Sequence, residues 1–406
     1  MIHEEKVLVM GKQAAFFFGS GISYASGSPS VDDITIAALK EHWHFCTEGI
    51  FLRGVNSNHC IPDQVTPLVQ AFLQRLFKIA ADCKAEVTRI TPALPPHYEE
   101  LFSLSAQIVN VEQDHIPNLA IVDYLRRVRS DTADLYIGYK GGPSGLSDLG
   151  GLAEDTCIFL HWVVDSMLRS IGENRKGLGL ISEVANSVDN LDVFTLNHDL
   201  LVEKQLESNG IFPQMGFDDY DHGDFRVYQT YWWKNTSKPR SKVRMLKLHG
   251  SLNWWFYDFP DWARQYAIPN KDPRRCCDQN QRTVNPVDGR SAFLSGTIVK
   301  ELHYGLAFWG EQLEAFRDHL SNHHRLICCG YGFGDRGINV RIDQWMHNDL
   351  NGRNRLVILT PQSKDIFVRN KPYWLIRHIQ NNRVDFVENY LENCTLSDLE
   401  PYFDVV

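Results

Sequence analysis

Apolar positions along the chain follow two rhythms. Residues 14–18 (AAFFF) form an unbroken apolar run that ends abruptly in Gly19-Ser20-Gly21-Ile22-Ser23. That is the pattern of a strand buried on both faces of a parallel sheet, followed by a tight turn. From about Ile34 to Ser187 the apolar residues recur instead at three- and four-residue spacing, clearest over 68–81, 119–127 and 156–168, which predicts helices. Breaker-rich stretches at 91–97 and 141–151 predict loops between them. Strand-like runs return at 191–196, 245–248, 252–257, 325–329 and 356–359, with helical stretches at 200–207, 310–322 and 340–348 between some of them. The polar span 258–290, rich in Pro, Asp and Arg, reads as a long surface loop. Alternating buried strands and helices predict an α/β fold with a doubly wound parallel sheet. The core would comprise residues 1–33 and 188–406, and residues 34–187 a mostly helical insertion.

Composition narrows the function more than the fold. The 406 residues are 43% hydrophobic and 22% charged, enough apolar matter for a full core. With 41 Lys+Arg against 50 Asp+Glu the net charge is −9, which argues against direct nucleic-acid binding as the main role. No run of apolar residues is long enough to span a membrane, and the acidic amino terminus does not read as a secretion signal, so a cytoplasmic location is expected. Nine cysteines without a single CxxC spacing read as reduced thiols and leave no tetrathiolate zinc site in view.

Four short segments could carry chemistry, each at the carboxyl end of an expected strand, where open α/β sheets bind ligands. The first, Gly19 to Ser23, has the glycines that let backbone approach a phosphate, although glycine after a strand is often only a turn. The second, Thr195-Leu196-Asn197-His198-Asp199, ends a strand in polar groups; the plainer reading makes Asn197 or Asp199 a helix cap. In the third, Lys247-Leu248-His249-Gly250-Ser251, the glycine leaves the His249 imidazole open to a crevice, suited to proton transfer near neutral pH. Sixteen histidines are present, so a lone one carries little weight. The fourth, Gly330-Tyr331-Gly332-Phe333-Gly334-Asp335, is a second glycine turn.

Taken in order, these segments resemble the sirtuins and their prokaryotic sirtuin-like relatives. GSGIS followed by SGSP (Gly19 to Pro29) is similar to the sirtuin GAGIS…SGIP loop, TLNHD (195–199) to TQNxD, LHGS (248–251) to the motif of the catalytic histidine, and Gly330 to Asn339 to the late glycine turn. The resemblance implies NAD as the substrate. Asn197 and His249 would be catalytic, the first holding the nicotinamide ribose and a water, the second acting as a base. Gly19, Ser20, Gly21, Ile22 and Ser23 would contact pyrophosphate and ribose, Asp199 the carboxamide, and Gly330, Gly332 and Asp335 the adenosine side.

The departures redirect the chemistry. Sirtuin deacylases carry four zinc-binding cysteines that support an acyl-lysine cleft, and this sequence lacks that spacing, so no zinc is expected. Ser30-Val31-Asp32 stands where the family has Asp-Phe-Arg, which removes the shielding Phe, and Leu196 replaces the Gln of TQN. Water then becomes the expected acceptor, giving an NAD hydrolase of the kind found in bacterial anti-phage defence. Such an enzyme needs gating, and the helical block is the candidate for contacts. The resemblance further implies a homo-oligomer and a HerA-type ring ATPase as partner. A protein deacylase, an ADP-ribosyltransferase and a non-catalytic NAD-sensing subunit are the alternatives.

Overall fold

A computed structural model describes residues 11–46, 50–53, 63–87, 94–112, 121–217, 222–234, 241–261, 264–296, 300, 304–349 and 351–405. The chain divides into two compact units, one formed by Met1–Ser28, Gly172–Val287 and Tyr304–Val406, the other by Pro29–Ile171 and Asp288–His303. Among the described residues no helix is long and apolar enough to cross a membrane.

The first unit is built on a mostly parallel sheet. Its parallel strands are β1 (Lys12–Phe18), β2 (Asn190–Thr195), β3 (Val243–Lys247), β4 (Arg325–Cys329), β5 (Arg355–Thr360) and β6 (Val384–Glu388). Their spatial order is β6-β5-β4-β1-β2-β3. This is the order of dinucleotide-binding folds, with the direction of winding reversing between β1 and β4. Phe16, Phe17 and Phe18 are fully buried, as the unbroken apolar run requires of a central strand covered on both faces. The helices α1 (Leu201–Glu207), α2 (Ala307–Leu320) and α3 (Arg336–Asn348) follow in the connections. The last strand, β6, and the helix Tyr373–Gln380 before it were not among the expected elements. Val384, Asp385 and Phe386 alternate weakly and give little pattern to read.

Two expectations need correction. The polar span 258–290 is not one loop: Gln265–Pro269 is a strand, antiparallel to both Phe225–Val227 and the end of Gly250–Tyr257, and a further strand, Pro286–Phe293, begins before the span ends. Ala267 is fully buried and Ile268 nearly so, so two inward residues suffice to hold a strand that the surrounding Pro, Asp and Arg disguise. The expected loop 141–151 ends early, because a helix starts at Asp148 and runs to Arg169. Gly150 and Gly151 lie inside its first turn. A Cβ on Gly151 would stand 2.3 Å from the Leu146 carbonyl oxygen, so the glycine is a close-packing residue and not a breaker. Residues 91–93 of one expected loop and 119–120 of one expected helix lie outside the described residues.

The second unit is mostly helical, with Val65–Val87, Tyr98–Glu112 and Asp148–Arg169 packed together and a small hairpin, Trp43–Phe45 with Phe51–Arg53. Trp43 and Phe51 pack edge-on against Phe159 at ring distances of 5.8 and 5.1 Å. Asp155, fully buried, satisfies its carboxylate with the Tyr139 hydroxyl (2.6 Å) and the amides of Gly142 and Ser144 (both 2.7 Å).

Where the first unit's central strands begin, a buried charge network ties them together. Asp192, 1% exposed, receives both forks of Arg244 (2.6 and 2.8 Å) and His323 Nε2 (2.7 Å). Asp404, on a short strand antiparallel to β1, lies 3.6 Å from His323 Nδ1 and accepts the His324 amide at 2.8 Å. Burial alone would lower the His323 pKa, but the hydrogen bond to Asp192 and the charge of Asp404 outweigh it and raise it. A raised folded-state pKa stabilises below the unfolded value of about 6.5 and loses that contribution as pH rises through the folded value. Thermal unfolding of His323→Gln should therefore show a loss of about 2 kcal/mol at pH 6 that shrinks by pH 9. An equal loss at both pH values would show that the charge plays no part.

Candidate active site

Strand register places the four motif segments side by side. Phe18 is level with Cys329 on one flank and Thr195 on the other, and Thr195 is level with Lys247. The residues that follow these strand ends, from Gly19, Gly330, Leu196 and Leu248, therefore leave the sheet at one height around its switch point.

The two glycine turns touch through their backbones. The Gly19 amide donates to the Cys329 carbonyl at 3.0 Å and the Gly21 amide to the Gly330 carbonyl at 3.1 Å. A Cβ on Gly19 would meet that Gly330 oxygen at 2.5 Å, and one on Gly330 would meet the Ile22 nitrogen at 2.5 Å. Gly330 also has φ +65°, in the left-handed region. This corrects part of the expectation for the first loop: the amides of Gly19 and Gly21 are spent on the neighbouring turn and are not free for a pyrophosphate. Ser20 and Gly21 are exposed, while Ile22 and Ser23 are buried beneath them.

Ser23 joins the first loop to the second. Its hydroxyl donates to Asp199 Oδ2 at 2.9 Å and accepts from Asn197 Nδ2 at 3.1 Å. Asp199 Oδ1 takes the Leu201 amide at 3.0 Å, alongside its tie to Ser23, but the cap position of α1 is Leu200, which supplies no side-chain cap bond. Asn197 is not the cap. Its own amide donates to Thr195 Oγ1 at 3.1 Å and its side-chain nitrogen to Ser23. Its Oδ1 is buried with no hydrogen-bond partner among the described residues, a costly arrangement for an amide carbonyl unless a ligand completes it.

His249 stands 4% exposed in the turn between β3 and Gly250–Tyr257, where Gly250 at φ +84° reverses the chain. Its Nε2 lies 2.8 Å from the Tyr304 hydroxyl and 3.0 Å from Asp335 Oδ2. The Tyr304 hydroxyl donates to the same Asp335 oxygen at 3.0 Å. With that proton committed to Asp335, the set is satisfied when Nε2 carries a hydrogen. Burial, then the Asp335 charge, raises the Tyr304 pKa and keeps the phenol neutral. Asp335, expected beside the adenosine, is placed on His249 instead, and its Oδ1 caps α3 through the Ile338 amide at 2.9 Å. Gly332 is exposed in the same turn, with its carbonyl held by the Lys371 ammonium at 3.1 Å.

Three supporting residues escaped the sequence reading. Lys247, 1% exposed, bonds the Asp199 carbonyl and pairs with Glu203 Oε1 at 2.5 Å on α1. Burial raises the Glu203 pKa against the opposing pull of Lys247, so this pair serves to hold the 197–199 segment against β3. A lysine closing the apolar run VRMLK was its only signal. Tyr304 has no motif around it and became visible only in space.

Residues 192–381 match the family model described as a SIR2-like domain. The match takes in Asn197, Asp199, His249, Gly330 and Asp335 but not the first glycine loop, and it supports a sirtuin-like, NAD-related character for the chain. No curated protein matches the sequence.

The paired turns give a stability test. Gly330→Ala should cost about 2–4 kcal/mol, from left-handed strain plus a clash with backbone. Gly332→Ala, where a Cβ meets nothing within 4 Å, should change stability by less than about 0.5 kcal/mol. Equal denaturant midpoints for the two variants would refute the close-approach argument.

Proposed function

We propose that the chain hydrolyses NAD at the nicotinamide–ribose bond, releasing nicotinamide and ADP-ribose. The observation that carries this reading is the buried Oδ1 of Asn197, without a hydrogen-bond partner among the described residues, two residues past the end of β2 as His249 is past the neighbouring β3. Nicotinamide leaves NAD as a neutral molecule from a cationic ring, so its departure needs no general acid. The enzyme must stabilise an oxocarbenium-like ribose and place a nucleophile. Asn197 Oδ1 can accept from a ribose hydroxyl or a water, with Ser23 fixing the amide through Nδ2. His249 takes the proton from that group, and Asp335 stabilises the imidazolium that forms, as the buried carboxylate does in serine-protease triads. With Nε2 protonated towards Asp335 and Tyr304, the ring nitrogen able to take a proton is Nδ1.

Water is favoured over an acyl-lysine peptide because the sequence lacks the cysteine module that supports a peptide cleft. Deacylation and ADP-ribosyl transfer would use the same Asn197–His249 pair with another acceptor. Depletion of NAD in anti-phage defence, a homo-oligomeric state and a HerA-type ring ATPase as partner complete the proposal, resting on family resemblance alone.

Incubation with NAD and chromatographic analysis of products tests the assignment. Wild type should release nicotinamide and ADP-ribose. Asn197→Ala and His249→Ala should each lower the rate by about 10²–10⁴. Asp335→Asn should lower kcat by about tenfold or more while KM changes little. Cleavage at equal rates by wild type and both alanine variants would overturn the reading, as would deacylation of an acyl-lysine peptide without net hydrolysis.

A further inference from the structure

A cavity of about 410 Å³ opens beside α2 and α3, at the end of the sheet where β4 and β5 begin. It lies at the opposite end of these strands from the glycine turns, since its wall includes His324 and Asn354, the residues just before β4 and β5. Arg317, Arg341, Arg353 and His324 line it. In a chain of net charge −9 this is a local concentration of the opposite sign.

Arg341 is the informative residue. Its guanidinium is half-buried and donates to the Gly337 carbonyl at 2.8 Å, with one side 5.9 Å from the Tyr304 ring. Among the described residues no carboxylate lies within ion-pair distance of it. Burial lowers its pKa, the charges of Tyr304 and Asp335 pull it back up in part, and the like charge of Arg317 lowers it slightly. Asp349, the one acidic residue of the lining, is already engaged. Its oxygens accept the amides of Asn354 (2.5 Å) and Asn351 (3.2 Å) and stand 3.6 Å from Arg383 and 4.0 Å from the exposed Arg353. Arg317 reaches only its exposed neighbour Asp318, at 3.4 Å. A half-buried guanidinium with no carboxylate at ion-pair distance favours an anion beside it.

We propose that this cavity binds a phosphate-bearing small molecule of nucleotide size, at a site separate from the NAD crevice. Arginine forks match phosphate oxygens in pairs, and the volume falls within the roughly 300–1,000 Å³ usual for small-molecule sites. The exposed amides of Gln344 and Asn348 on α3 add hydrogen-bonding groups at the mouth. The site does not depend on the NAD-hydrolase reading, and its test uses binding alone.

Isothermal titration of the full chain with pyrophosphate, ADP and adenosine tests it. Pyrophosphate and ADP should bind, and adenosine should not. Tighter binding of ADP marks a nucleotide as the ligand; equal binding marks free pyrophosphate, and either supports the site. Arg341→Gln and Arg353→Gln should each weaken binding about tenfold or more. Arg353 is largely exposed, so its variant keeps the test valid if Arg341→Gln fails to fold. Wild-type affinity for pyrophosphate and ADP in Arg353→Gln and in a folded Arg341→Gln would place binding elsewhere and overturn the proposal, as would adenosine binding as tightly as ADP.

Discussion

The contact on which the candidate site depends is backbone against backbone: Gly19 and Gly21 of one turn lie against Gly330 of another, across the point where the sheet reverses its winding. A Cβ at Gly19, Gly21 or Gly330 would come within 2.5–2.7 Å of backbone atoms of the facing turn, closer than real Cβ atoms approach, and would push the turns apart. The consequences run outward from that constraint. Ile22 is pressed inward, and Ser23 is carried to where its hydroxyl can bridge Asn197 and Asp199. From the other turn, the chain continues through buried Phe333 at φ +61° to Asp335, which caps α3 and reaches His249. One close approach thus positions both halves of the proposed machinery.

The glycines consequently do a different job from the one their motif suggests. Glycine-rich loops at strand ends usually imply amides presented to a phosphate. Here two of those amides are consumed in joining the loops, and what the turn presents to the crevice is an exposed Ser20–Gly21 surface. The reading that survives is one of shape, in which small residues permit approach, more than one of donated hydrogen bonds.

How much was legible in the sequence follows from range. The central strands were readable because burial on both faces leaves an unbroken apolar record, as in residues 14–18 and 325–329. The pair Asn197 and His249 was readable through order and spacing, each at a strand end. The strand Gln265–Pro269 was hidden because its partners, not its own composition, hold it. The partners of His249 were hidden for a similar reason. Tyr304 and Asp335 lie 55 and 86 residues from it, and nothing local to either marks the meeting. Asp335 was singled out for its place in the late glycine turn, but its meeting with His249 was not foreseen.

The two ends of the parallel sheet use buried charge in contrasting ways. Where the strands begin, Asp192 is closed on all sides by Arg244 and His323, and a neutral replacement would have little left to disturb but stability. Where they end, Asp199 and Asp335 are committed, whereas Asn197 Oδ1 is buried with no partner among the described residues, as His323 Nδ1 is at the other end. A folded chain tolerates such a group at a cost of about 1–3 kcal/mol. A ligand that supplied the missing hydrogen bond would recover that cost on binding, so the same defect that weakens the free fold favours occupation of the crevice.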